Sequence, residues 1–75
     1  MNRKEMFLAE IDTLKEKIID RADEDHSSSL QDLLYLKLAV QEGKSDLAEA
    51  VMRLSYNDEV HDLAQKVFKN YFLEN

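Results

Sequence analysis

Residues 30–42 read LQDLLYLKLAVQE, and their pattern decides the fold. At 100° per residue, Leu30, Leu33, Leu34, Tyr35, Leu36, Leu38, Ala39 and Val40 cover most of a helical cylinder. Only Gln31, Asp32, Lys37 and Gln41 mark it as polar. A helix that is apolar nearly all round is a central helix, against which others pack from several sides. The chain has 75 residues, enough for one domain. A domain of this size buries only about 60% of its unfolded surface, so its short companions do not shelter such a helix completely. The expectation is an all-α bundle of three to four helices, completed by homodimerisation. Its interface would include Leu30, Leu33, Leu34, Tyr35 and Leu38, with Tyr71 added because tyrosine suits a half-wet contact.

Upstream, Phe7, Ile11, Leu14 and Ile18 make a single apolar stripe, widened by Leu8, Ile19 and Ala22. This predicts a first helix over about 3–25. Asp23, Glu24 and Asp25 should end it, because carboxylates at a helix C-terminus oppose the macrodipole. Three serines follow. Ser28 with Gln31, or Ser29 with Asp32, has capping-box spacing, so the central helix is expected over 29–42.

Downstream, Gly43 is the only glycine and sits where a left-handed residue would close the central helix. Ser45 or Asp46 can cap a third helix over 46–54, with Leu47, Ala50, Val51 and Leu54 inward. Asn57 is a strong cap for a last helix over 58–73, with Val60, Leu63, Ala64, Val67, Phe68, Tyr71 and Phe72 at helical spacing.

Sixteen acids stand against ten bases, a net charge of −6, which repels phosphate backbones and argues against nucleic acid as a partner. The absence of cysteine excludes disulfides and thiolate metal sites, and it fits a reducing, cytoplasmic setting. No apolar run is long enough to span a membrane. The opening residues MNRKEMFLAEID reach Glu10 and Asp12 before a signal-peptide core could form, so no targeting segment is expected.

Chemistry-bearing motifs are absent from the pattern. The spacing of Ala39 and Gly43 is that of a DNA-reading helix-turn-helix, but Glu49 then falls where a buried aliphatic is required. A helix beginning at Asp58 would also offer Asp58, Glu59 and Asp62 to phosphates, the wrong sign for DNA affinity. A degenerate DNA-binding regulator is the weaker alternative. His26 and His61 have no HxxxH or cysteine companion, so no metal or other cofactor is expected. The serines have capping work at hand and no nucleophile setting, so the expectation is a non-catalytic interaction or regulatory protein.

The segment LLYLKLAVQEGKSDLAEAVMRLS, residues 33–55, resembles the central helix pair of small bacteriocin immunity proteins. That resemblance covers about a third of the chain and implies a helical inhibitor that neutralises a target protein. Asp23, Glu24, Asp25 and Asp58 are then the candidates for docking on a basic target.

Overall fold

The computed structural model describes residues 2–21 and 25–73. It is an all-α bundle. Four α-helices run α1 Arg3–Ile19, α2 Ser27–Glu42, α3 Ser45–Leu54 and α4 Asp58–Val67, and a π-helical segment, Phe68–Leu73, extends the last of them. No strand occurs among the described residues. α2 packs against α1 on one side and α3 on the other; α3 packs on α4, and α4 returns to α1.

Two termini follow the expected chemistry and two depart from it. Asn57 caps α4, its side-chain oxygen accepting from the Glu59 and Val60 amides at 2.9 and 3.1 Å. Gly43 closes α2 in the left-handed region, φ 70° and ψ 36°, while the Lys44 amide donates to the Ala39 carbonyl at 2.9 Å. The same carbonyl also accepts the Gly43 amide, so the wrap-around bond is a second one on the last turn's Ala39 oxygen. α2 begins at Ser27, two residues before the expected start, because Asp25 performs the task assigned to the serines. The Asp25 carboxylate accepts from the Ser27 amide at 3.0 Å and from its hydroxyl at 2.8 Å. α3 likewise starts at Ser45, and neither Ser45 nor Asp46 is its N-cap.

The first helix is shorter than its apolar pattern. The structure ends α1 at Ile19, not near Asp25, with the Arg21 amide reaching the Ile18 carbonyl at 3.1 Å in a tightened last turn. Asp20 already places a carboxylate against the negative end of the helix dipole. The expected extension through Ala22, Asp23 and Glu24 lies outside the described residues.

The core joins Phe7, Ile11 and Ile18 of α1 to Leu33, Leu36, Ala39 and Val40 of α2, Ala48 and Val51 of α3, and Val60, Ala64 and Val67 of α4. No polar side chain is buried among the described residues. Phe68, Tyr71 and Phe72 of the π-helical segment pack on this core. Tyr71 meets the Phe7 ring edge-on, centroids 5.9 Å apart, and Phe72 meets Tyr71 in the same manner at 4.9 Å.

The central helix is enclosed on one side only. Leu33, Leu36, Ala39 and Val40 are buried, whereas Leu34 is 56% and Tyr35 40% exposed. The bundle measures 40 × 26 × 17 Å, and its short dimension is less than two helix diameters of about 10 Å. A slab that thin covers one face of α2 and leaves the other to water.

Candidate protein-binding surface

Three side-chain ties bring four helix ends together. Asn57 Nδ2 donates to Ser29 Oγ at 3.3 Å, joining the start of α4 to the start of α2. Glu59 Oε1 meets Arg21 at 2.6 Å and Glu59 Oε2 meets Lys17 at 3.0 Å, joining α4 to the end of α1. The His61 ring donates from Nδ1 to the Met52 carbonyl at 2.7 Å, fixing the end of α3 on α4. A second ring, His26, donates from Nε2 to the Arg21 carbonyl at 2.6 Å across the α1–α2 connection. Both histidines are thus occupied by backbone carbonyls, and no group of three metal-ligating side chains occurs among the described residues.

This end of the bundle is acidic for a local reason. Helix N-termini carry positive partial charge and favour carboxylates, and the N-termini of both α2 and α4 lie here. Asp25 precedes α2; Asp58 and Glu59 occupy the first turn of α4. Asp32 and Asp62 follow within a turn or so, and Glu16 and Asp20 close α1 from the same side. Among the described residues, Lys17 and Arg21 are the bases that answer, and both converge on Glu59 alone. Arg53, in the last turn of α3, and Lys15, beside Ile19 and Leu30, are the further cations near this end. Glu16, Asp20, Asp32, Asp58 and Asp62 take part in no ion pair among the described residues.

Two carboxyls titrate below their ordinary range. The Ser27 amide, then the Ser27 hydroxyl, stabilises the Asp25 carboxylate, with His26 adding a smaller electrostatic contribution. Hydrogen bonds from Lys17 first and Arg21 second lower Glu59. Both groups therefore remain ionised well into acid.

A groove between α1 and α4 opens from this end. Its floor is Met6, Ala9, Leu14 and Leu63, and its rim carries Glu10, Lys17, Glu59 and Asp62. Of that rim, Glu59 is held by Lys17 and Arg21 and Glu10 by Lys66 at 2.8 Å, so Asp62 is the carboxylate left for the charged head of a lysine or arginine whose methylenes pack on the floor.

Of the sequence-derived docking residues, Asp25 and Asp58 lie at this one end, on the termini that Asn57 and Ser29 link. Asp23 and Glu24 lie outside the described residues. Of the expected interface set, Leu34 and Tyr35 are exposed and Leu30 and Leu38 half-buried on α2. Leu33 is in the core, 1% exposed, and has no surface to offer a partner. Tyr71 is half-buried with its ring on Phe7. Sequence reading did not single out Asp20, Asp32 or Asp62 as a set, because only helix order in space groups them.

The fold defines a small all-helical bundle with an acidic end. Residues 1–71 match the family described as the bacteriophage inhibitor of histone-like protein HU, and the chain belongs to that family. The match agrees with the inhibitor reading that the likeness to bacteriocin immunity proteins implied, and it names a different family. No curated protein and no solved structure matches the chain.

Proposed function

We propose that this protein inhibits the histone-like protein HU by laying its acidic end on the basic surface with which HU holds DNA. HU is an architectural protein of the minor groove, and such proteins grip DNA with arginine and lysine. A surface that binds a polyanion attracts any rigid, dense array of carboxylates of matching reach. The observation that carries this reading is the set of carboxylates at one end, Asp20, Asp25, Asp32, Asp58 and Asp62, against which Lys17 and Arg21 are spent on Glu59. The apolar-floored groove between α1 and α4 supports it further by supplying packing for the stems of the incoming cations.

The inhibition is competitive. Protein and duplex occupy the same basic groups on HU, so each displaces the other. Attraction between opposite fields accelerates encounter and weakens with salt. The test is displacement of a labelled duplex from HU by this protein. Wild type should displace it, and Asp25→Lys combined with Asp58→Lys should displace it only at roughly tenfold or higher concentration, equivalent to about 1.4 kcal/mol. Displacement unchanged by that double reversal and by the further reversals Asp32→Lys and Asp62→Lys contradicts the acidic-end mechanism.

A further inference from the structure

The outer face of α2 is a second surface that adjoins the acidic end at Asp32, and the geometry points to a second copy of this chain as its occupant. Leu34, Leu38 and Tyr35 line that face with Gln31, whose amide donates to the Tyr35 hydroxyl at 3.2 Å. None of these four side chains is charged; the acid on the same strip is Glu42, one turn past Leu38, and Lys44 partly offsets it at 3.7 Å. Two acidic molecules approach with least repulsion at such a neutral face, while a basic target is drawn to the acidic end instead.

The flanks select the occupant. On the α1 side, Lys15 stands beside Ile19 and Leu34 at the edge of a shallow groove. On the α3 side, Asp32 stands beside Tyr35 and Leu54. Neither Lys15 nor Asp32 takes part in an ion pair among the described residues; the other lysine of that groove, Lys37, is already held by Asp12 at 3.3 Å. A two-fold axis running along α2 lays α1 of one copy over α3 of the other. It therefore sets Lys15 of each copy against Asp32 of its mate, twice, around a Leu34 and Leu38 seam. The face is self-complementary, which is the requirement of an isologous dimer. An axis across α2 instead leaves α1 over α1 and α3 over α3, so Lys15 meets Asp32 only where α2 runs parallel to its mate.

Sedimentation and light scattering of the purified full chain, from micromolar to several hundred micromolar, test this directly. Wild type should show a reversible monomer–dimer equilibrium. Leu34→Glu should raise the dissociation constant roughly tenfold or more, since truncating the centre of an apolar seam is the costly change. Lys15→Glu or Asp32→Lys alone should weaken the dimer, and Lys15→Glu with Asp32→Lys together should restore it. Circular dichroism separates loss of dimer from loss of fold, and both charged positions are surface sites that the monomer does not need. A wild type that stays monomeric over the whole range overturns the inference, as does a dimer indifferent to Leu34→Glu or one that the paired swap fails to restore. HU displacement by the Lys15→Glu variant reads the acidic end separately, so failure of one account is distinguishable from failure of the other.

Discussion

Arg21, just past the end of α1, reaches Glu59 in the first turn of α4 at 2.6 Å. With Lys17 on the other carboxylate oxygen at 3.0 Å, it makes Glu59 the electrostatic clasp between first and last helices. Lys66 and Glu10, 2.8 Å apart, tie the same two helices farther from this end, so Glu59 is the clasp that closes the bundle at its acidic end.

The clasp gives a pH dependence of known sign. The Glu59 carboxyl titrates below its ordinary 4.5 in the folded protein, so the unfolded chain binds its proton first as pH falls. The stabilisation is complete above 4.5 and is lost as pH drops through the lower folded value. Thermal melts between about pH 6 and about pH 3 should show wild type losing more stability than Glu59→Gln. Parallel losses in the two proteins contradict the clasp.

Phe7 is 1% exposed and carries the Tyr71 ring on its edge. Phe7→Ala removes both packing and ring contact and should cost about 3–5 kcal/mol, measured by urea unfolding. In a domain this small that is a large share of the total, commonly about 5–15 kcal/mol. A loss below about 1 kcal/mol would show that the π-helical segment does not seat on α1.

Gly43→Ala isolates backbone strain. A Cβ at this position meets nothing within 4 Å, yet φ is 70°. The substitution should destabilise by about 1–2 kcal/mol from conformation alone, and Gly43→Asn by less, because asparagine tolerates the left-handed region. Equal costs for the two would place the penalty elsewhere.

Asn57→Ala should cost about 1 kcal/mol through loss of the α4 cap. It also removes the Ser29 tie, whereas Asn57→Asp keeps an accepting oxygen for the cap and lacks the donor to Ser29. The aspartate variant should therefore recover most, not all, of the stability in the same unfolding assay.

The bundle was legible from residue pattern where local chemistry dominates. The Asn57 cap, the left-handed Gly43 and the Phe7, Ile11 and Ile18 stripe all act within a few residues of themselves. What depends on neighbours in space was not. Leu33 and Leu34 are chemically identical and adjacent, yet one is 1% and the other 56% exposed, because α1, α3 and α4 cover a single side of α2. No residue in FKNYFL announces a π-helix, since Phe68, Tyr71 and Phe72 would share one face of an α-helix as well. The acidic end is a property of helix order. Asp25 and Asp58 are far apart in sequence, and the folding of α4 back beside α2 puts their helix starts together.

The central claim is that carboxylates on one end of the bundle compete with DNA for HU. Its most direct measurement is the salt dependence of HU displacement, taken for wild type and for the Asp25→Lys, Asp58→Lys double variant. Displacement should weaken as salt rises, and the double variant should show both weaker displacement and a shallower salt slope. Displacement of equal strength and equal slope in the two proteins would contradict the account.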